Sequence, residues 1–181
     1  MMQLHFRDAT EADIPEIVEL VTSAYRGDAS RVGWTTEADL LDGQRIDTGL
    51  LRHDILRARS RVLLALEDAA DGAAPASLVA CAHVAADGEA GYFGMFSVRP
   101  DLQRAGIGKK VLAHAEHIVR DDWQLPLMRM TVIDVRDELI AFYERRGYRR
   151  TGAFKPFPYG DARFGIPLRE DLRFEVLEKT L

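Results

Sequence analysis

Apolar and polar residues repeat along the chain with two different periods, and the change between them separates predicted strands from predicted helices. Alternating or unbroken apolar stretches predict strands at 3–7, 61–67, 78–86, 92–98, 127–133, 147–152 and 174–180. Helically spaced apolar residues predict helices from Thr10 to Gly27, at about 48–58, after Ile107 and at about 136–146, and Thr36 is a suitable N-cap for a short helix ending at Gly43. Strands alternate with helices at the centre and form hairpins at the ends, which predicts a mixed α/β sheet.

The predicted elements are bounded by turn signals. Asp87-Gly88 is a two-residue hairpin signal before the aromatic strand Tyr92–Val98, which we expect to be buried on both faces. Loops are predicted at 68–77 and 155–171. Because no repeat or linker interrupts the pattern, residues 1–181 are predicted to form a single domain.

Composition narrows the class of protein. With 47% apolar and 29% charged residues the chain is typical of soluble domains, and no apolar stretch is long enough for a signal peptide or a membrane span. Its net charge of −5 argues against a general nucleic-acid binder and favours a cationic partner such as an amine. The single Cys81 excludes an internal disulfide and fits a reducing compartment, so we expect a cytoplasmic protein with no membrane partner.

A basic, glycine-containing turn follows the central strand and carries the clearest chemical signal. Gly106 and Gly108 leave the backbone open to close approach by a ligand, just before a helix begins. Successive N–H groups at a helix N-terminus form a concave anion site, and Arg104 and Lys109 add positive charge there. The turn therefore predicts a phosphate or pyrophosphate site. It has neither the Gly-Lys-Ser/Thr ending of a Walker A loop nor the third glycine of a dinucleotide fingerprint.

The stretch Gln103-Arg-Ala-Gly-Ile-Gly-Lys109, after a strand ending in Val-Arg-Pro, resembles the acetyl-CoA signature of the GNAT superfamily of N-acetyltransferases. The resemblance implies an α/β (α+β) fold with a central mixed, mostly antiparallel sheet, splayed central parallel strands and helices on both faces. It also implies acetyl-CoA as cosubstrate and no metal. The implied cofactor-binding residues are Phe96, Ser97, Val98, Gln103, Arg104, Ala105, Gly106, Ile107, Gly108 and Lys109.

A second stretch, Arg136-Asp-Glu-Leu-Ile-Ala-Phe-Tyr143-Glu-Arg-Arg-Gly147-Tyr148, is similar to the second signature of this family, Asn-x-x-Ala-x-x-x-Tyr-x-x-x-Gly-Phe/Tyr. Tyr143 matches the catalytic tyrosine that returns a proton to the leaving thiolate, and a phenol is a suitable donor at neutral pH. Helical spacing alone would make Tyr143 a half-buried core aromatic. Arg136 stands where the family has asparagine, and it is either a cofactor-binding residue that holds a phosphate or carboxylate, or an exposed one.

The residues that bind the acceptor and remove its proton follow less directly from the sequence. Many GNAT enzymes carry a catalytic glutamate on the central strand, but Glu89 here lies nearer the hairpin. His83 has a suitable intrinsic pKa for a catalytic base, although a histidine in an apolar strand is commonly a core residue. Glu37 and a chain of water molecules are further alternatives. Since the first two helices build the acceptor pocket in this family, Trp34 and Glu37 are substrate-binding candidates.

Three functions remain open on the sequence. The first is an acetyl-CoA-dependent N-acetyltransferase that moves an acetyl group to a small-molecule or protein amine, by direct attack in a ternary complex. The second is a non-catalytic acyl-CoA-binding regulatory module, and the third is a nucleotide-phosphate binder of another fold. The acidic balance and the aromatic residues Trp34, Phe157 and Tyr159 point to a cationic or aromatic amine, and residues 172–181 could pair at an edge to form a homodimer.

Overall fold

The computed structural model describes residues 2–70, 72 and 74–181. Its strands are β1 (Leu4–Asp8), β2 (Leu41–Asp42), β3 (Ser60–Glu67), β4 (Ser77–Asp87), β5 (Ala90–Val98), β6 (Leu127–Ile133), β7 (Arg149–Pro156), β8 (Ile166–Pro167) and β9 (Arg173–Thr180). Its α-helices are α1 (Ile14–Tyr25), α2 (Thr48–Leu56), α3 (Ile107–His117) and α4 (Asp137–Glu144). Met1 lies outside the described residues, as do Asp71 and Ala73 of the predicted loop 68–77.

In the described part of the chain, seven strands form one sheet in the order β1-β3-β4-β5-β6-β9-β7, and β2 pairs separately with β8. Neighbouring strands of the large sheet are antiparallel except β5 and β6, which are parallel. The predicted fold class, a mixed and mostly antiparallel sheet with a central parallel pair, is confirmed.

The parallel pair separates along its length. Only Ala90–Tyr92 of β5 pairs with Leu127–Arg129 of β6, although both strands continue beyond these residues. The rest of β6 stays paired with β9. A gap therefore opens between β5 and β6, and the backbone groups along it lack a strand partner. Residues 94–96 beside this gap are half-buried, so the prediction that the central strand is buried on both faces was wrong for this stretch, although Ser97 and Val98 after it are buried.

Helices cover both faces of the sheet, as the alternation along β3 shows. Val62 and Leu64 belong to the core that α1 and α2 form, whereas Leu63 and Ala65 belong to the core that α3 and α4 form. Full burial of one such large apolar side chain stabilises the fold by about 1.5–3 kcal/mol. The two cores together fix α1, α3 and α4 relative to β5, and these elements carry the site described below.

The short helix predicted from Thr36 to Gly43 does not form. The Glu37 carbonyl accepts hydrogen bonds from the Leu40 and Leu41 amides (both 2.9 Å), which makes a single turn. The chain then extends into β2, where Leu41 pairs with Pro167. The Glu37 side chain points into a buried cluster of charges, and this tertiary contact replaces the helical continuation that the N-cap residue favoured.

Other boundaries differ by a few residues. The hairpin forms, but its turn is Gly88-Glu89 because Asp87 still pairs with Ala90. The predicted loop 155–171 contains a short 3₁₀ segment, Ala162–Phe164, as well as β8. No helix in the described ranges is long and apolar enough to cross a membrane.

Candidate active site

Two cavities lie side by side, each with a volume of about 510 Å³. Tyr25, Phe96 and Leu139 line both and form the wall between them. The first cavity, called the basic cleft below, adjoins the turn 103–109. The second, called the inner cavity, opens between residues 93–96 of β5 and 130–133 of β6.

The turn 103–109 has backbone N–H groups available at the basic cleft. Arg104 and Gly106 both have a φ of 80°, which bends the chain sharply before α3 begins. The Ala105 amide donates to the Leu102 carbonyl (3.2 Å), while the other amides from Gln103 to Gly108 have no partner among the described residues. A Cβ at Gly108 would lie 3.1 Å from the Phe96 ring, so this glycine lets α3 approach β5 closely. The predicted anion site therefore has the donors that it needs.

Basic side chains give the cleft a positive charge. They are Arg104, Lys109, Arg145 and Arg146, and the lining also includes Glu138. The Arg146 guanidinium lies 3.6 Å from the centre of the Phe142 ring and donates to the Phe142 carbonyl, which holds it at the cleft. Arg145 and Arg146 were missed in the sequence, although an Arg-Arg pair just after Tyr143 was a visible signal.

The side chain of Gln103 is fully engaged within the protein. Its Oε1 accepts from the Trp34 and Thr35 amides at 2.8 and 3.2 Å. Its Nε2 donates to the Thr35 hydroxyl (2.7 Å) and to the Val98 carbonyl (3.1 Å). Gln103 thereby ties the segment around Trp34 to β5. Trp34, predicted for the acceptor pocket, lies in the wall of the basic cleft.

The edge of β5 contributes further backbone groups. The Arg99 amide donates to the Val79 carbonyl in β4 (2.9 Å), so by strand alternation the Val98 amide points away from β4 and toward the gap. The pairing of β4 with β5 is irregular between Gly94 and Ser97. The Tyr25 hydroxyl donates to the Phe96 carbonyl and fixes it. Of the other predicted cofactor residues, Ser97 and Ile107 are buried, and neither they nor Ala105 line the cleft.

Tyr143 reaches the inner cavity from α4. Its ring packs edge-on against Phe142 and Tyr148, with centroids 5.3 and 5.8 Å apart. Burial raises the pKa of the Tyr143 phenol above its ordinary value of 10.0, so the group is protonated at neutral pH. A protonated phenol in the lining of the inner cavity can act as a proton donor there.

His83 also lines the inner cavity, together with Asp54. The Ser60 hydroxyl donates to the Asp54 carbonyl (2.6 Å), so its oxygen accepts from His83 Nε2, which is 2.9 Å away. This arrangement assigns the proton to Nε2 and leaves the lone pair on Nδ1, which is 3.6 Å from Asp54 Oδ2. Burial lowers the pKa of His83 and the Asp54 carboxylate only partly opposes it, so His83 is neutral and basic at neutral pH.

Glu37 occupies the centre of a buried cluster of charges. Its carboxylate lies 3.0 Å from Arg26 Nη1, 3.1 Å from Arg136 Nη1 and 3.9 Å from Arg45 Nε. Burial opposes its ionisation, but Arg136, Arg45 and Arg26 outweigh this effect and hold the pKa of Glu37 below its ordinary value. Glu37 is therefore a carboxylate that is already paired, which makes it a poor proton acceptor.

The structure places the remaining four candidates in different surroundings. Arg136 lines the inner cavity rather than the basic cleft, and besides Glu37 it donates to the Thr35 carbonyl. Glu89 lies in the hairpin turn with its side chain 72% exposed, 3.2 Å from Arg129, and lines neither cavity. Phe157 lines the inner cavity, whereas Tyr159 is exposed and lines neither.

Known proteins share the sequence pattern and the fold. Residues 58–150, slightly more than half of the chain, match the family model described as the acetyltransferase (GNAT) domain. The curated S-(2-succino)cysteine N-acetyltransferase of Bacillus subtilis (strain 168) is 41% identical over 58 residues, which are 32% of this chain and 35% of that protein. The match thus spans about a third of that relative's length.

Two solved structures illustrate the shared fold. The ribosomal-protein-S18-alanine N-acetyltransferase from Escherichia coli has a TM-score of 0.67 at 13% identity, over 98% of this chain and 94% of that one. The PaiA N-acetyltransferase from Thermoplasma acidophilum in complex with coenzyme A has a TM-score of 0.65 at 16% identity, over 99% of this chain and 100% of that one. With the family match over residues 58–150, the chain belongs to the GNAT family of acetyltransferases.

Proposed function

We propose that this protein is an acetyl-CoA-dependent N-acetyltransferase that transfers the acetyl group directly to a primary amine within a ternary complex. The observation that carries the proposal is the wall of Tyr25, Phe96 and Leu139, which the basic cleft and the inner cavity share. A cosubstrate in the cleft and an amine in the cavity can meet there. Positioning of two reactants supplies much of the rate in such a transfer.

The basic cleft fits acetyl-CoA. The unbonded amides of the turn 103–109 and the N-terminus of α3 are donors for a diphosphate. The four basic side chains of the cleft would neutralise its phosphates. The Val98 amide, which points into the gap, and the backbone of Phe96 would hold the pantetheine arm and polarise the thioester carbonyl.

Acetyl-CoA supplies an activated thioester, so that the amine nitrogen bonds to the carbonyl carbon while the carbon–sulfur bond breaks. His83 Nδ1 accepts the proton that the amine loses, and the nearby Asp54 carboxylate stabilises the resulting imidazolium. Tyr143 donates its proton to the departing thiolate. Proton and charge thus balance between one base and one acid that line the same cavity. The exposed position of Glu89 supports His83 rather than Glu89 as this base.

Named relatives act on amines of several kinds, and these inform the choice of acceptor. The Bacillus subtilis relative is named for S-(2-succino)cysteine and the Escherichia coli structure for an alanine of a ribosomal protein. Both names denote an amine, and we propose an amine acceptor here. The inner cavity, at about 510 Å³, fits a small molecule or one terminal residue of a protein.

Release of CoA from acetyl-CoA, measured against a panel of amines, tests this proposal. Direct transfer predicts initial-rate lines that intersect when both substrates are varied, whereas parallel lines would indicate an acetylated enzyme and contradict it. Calorimetry with acetyl-CoA, ATP and NAD is the companion measurement. Acetyl-CoA binding without CoA release from any amine would favour a non-catalytic binding module, and binding of ATP or NAD instead would reject the cosubstrate.

A further inference from the structure

The inner cavity carries an excess of positive charge. Its charged lining residues are the five arginines Arg26, Arg45, Arg57, Arg136 and Arg163 and the three carboxylates Glu37, Asp47 and Asp54. Arg163 is paired with Asp161, which lies outside the lining, and one net positive charge remains when this carboxylate is included. The whole chain, by contrast, has a net charge of −5. The cavity is therefore opposite in sign to the protein around it, and an anion would be attracted into it.

A single carboxylate, that of Glu37, lies among three guanidinium groups of the inner cavity. Glu37 lies within 4 Å of Arg26, Arg136 and Arg45, and only the first two are within hydrogen-bond distance. Removing two or more charges from water costs free energy unless each charge is compensated. With three guanidinium groups and one carboxylate the cluster has an excess of positive charge, and a second carboxylate would compensate part of it.

Arg26 has donors that the protein does not use. Its side chain is 3% exposed, and its Nε and Nη2 atoms are fully buried with no hydrogen-bond partner in the described part of the chain. An unsatisfied buried donor costs about 1–3 kcal/mol, so such groups are uncommon. Arg26 lines the cavity, but these two atoms have no accessible surface, so Arg26 acts on a ligand there through its positive charge and not through its unused donors.

Arg45 is the cation of this cluster whose donors a ligand can reach. Its guanidinium lies 4.9 Å from the centre of the Tyr25 ring and makes no hydrogen bond within the described ranges, while its Nε is 3.9 Å from Glu37. The side chain is 29% exposed, so it remains reachable from solvent. A guanidinium with unused donors binds a carboxylate through two parallel hydrogen bonds.

We propose that the acceptor is an amine that also carries a carboxylate, as an amino acid does, and that Arg45 binds this carboxylate in the inner cavity, with the charge of Arg26 adding to the attraction. The inference rests on the proposed function and specifies its substrate class. The amine of such a molecule would lie toward His83 and Asp54, the part of the lining that attracts an ammonium group and can remove its proton. The local charge thus favours an acceptor with a carboxylate beside its amine, in contrast to the cationic or aromatic amine that the composition and aromatic residues suggested.

Matched pairs of amines that differ only in the carboxylate provide the test. Phenylalanine against phenethylamine, tyrosine against tyramine and histidine against histamine are such pairs, with S-carboxymethylcysteine as a doubly anionic probe and spermidine as a polycation. We expect kcat/KM to be at least about 10-fold higher for the carboxylate-bearing member of each pair that is turned over, since a bidentate pair is worth about 1.5–3 kcal/mol.

The variant Arg45→Gln tests the carboxylate assignment separately from the transferase proposal. We expect it to raise KM for the amino acid about 10-fold, to leave KM for the matching decarboxylated amine unchanged, and to leave the Kd of acetyl-CoA unchanged. Arg52→Gln, an exposed arginine on α2 that pairs with Glu11, is the control and should alter none of these values.

The outcomes distinguish two failures. If decarboxylated amines or spermidine are acetylated at least as well as the amino acids, or if Arg45→Gln affects both members of a pair equally, the carboxylate assignment is wrong while the transferase proposal stands. If no amine in the panel releases CoA although acetyl-CoA binds, the proposed function itself fails, and this inference with it.

Discussion

Most anion-binding groups of the basic cleft come from the short stretch 103–109, whereas the charged groups of the inner cavity come from segments that are far apart in the sequence. In the cleft, backbone amides of consecutive residues provide the donors. In the cavity, Glu37 is bonded to Arg26 and to Arg136, which are 11 and 99 positions away. The cleft is thus built mainly from the main chain of one short segment, whereas the inner cavity is built from side chains of several distant segments.

The difference bears on what each site can do. Backbone amides neither titrate nor change with the side chain, so the turn suits one invariant group such as a diphosphate. A cavity built from individual side chains takes its charge from each of them, so single substitutions can alter its preference. The two sites should therefore respond separately to mutation, and the following predictions test that independence.

The largest effect is expected for Gly106→Glu. A side chain is strained at the φ of 80° of this residue, and a carboxylate would repel a diphosphate, so at least two charge-assisted hydrogen bonds of about 2 kcal/mol each are lost. The Kd of acetyl-CoA, measured by calorimetry, should rise about 1000-fold. Gly152→Glu is the control, because Gly152 has a φ of 78° with open space around it; equal effects of the two variants would count against the turn.

Tyr143→Phe should reduce kcat about 100-fold, because the thiolate would leave without a proton donor. The Kd of acetyl-CoA should stay the same, since Tyr143 lines the inner cavity and not the basic cleft. Tyr148→Phe is the matched control, because the Tyr148 hydroxyl donates to Glu116 outside both cavities. An unchanged kcat in Tyr143→Phe would show that Tyr143 is not the proton donor to the thiolate.

The pH dependence of kcat should report His83. Because the neutral imidazole is the active base and burial lowers its pKa, the rate should be constant above pH 6.5, the ordinary pKa of histidine, and fall at more acidic pH, through the depressed pKa. His83→Gln should lower kcat about 100-fold and abolish the acid limb. His117→Gln, an exposed histidine paired with Asp121, is the control. An acid limb that persists in His83→Gln would exclude His83 as the base.

The smallest effect is expected for Trp34→Leu. Trp34 lies in the wall of the basic cleft, with its ring centroid 5.8 Å from that of Phe142, and not in the inner cavity. Loss of aromatic contact area should weaken acetyl-CoA binding about 5-fold and leave the KM of the amine unchanged. A selective rise in the KM of the amine would instead indicate that Trp34 contacts the acceptor, as the sequence predicted.

The anion-binding turn of the cleft could be predicted from the sequence because its residues are neighbours in the chain. A strand, a proline, two glycines and a helical stripe lie next to each other in the chain, and their order alone specifies a bent backbone before a helix N-terminus. Strand periodicity likewise predicted β6 with its bounds correct, Leu127–Ile133. Both features are determined by residues that are adjacent in the sequence, so the sequence alone predicts them.

The inner cavity depends on pairings that the sequence does not display. Arg136 was considered for a phosphate because of its place in a motif, but the structure pairs it with Glu37, 99 positions away. Glu37 belonged to a predicted helix, and its burial among arginines overrode that local preference. The Nε2 tautomer of His83 likewise depends on Ser60, 23 positions away in the neighbouring strand.

A crystal structure with bound CoA tests the central claim most directly. We expect the diphosphate on the amides of the turn 103–109, the pantetheine arm along β5 in the gap beside β6, and the sulfur facing the inner cavity near Tyr143. A CoA molecule with its diphosphate away from these amides, or its sulfur outside the gap, would contradict the account.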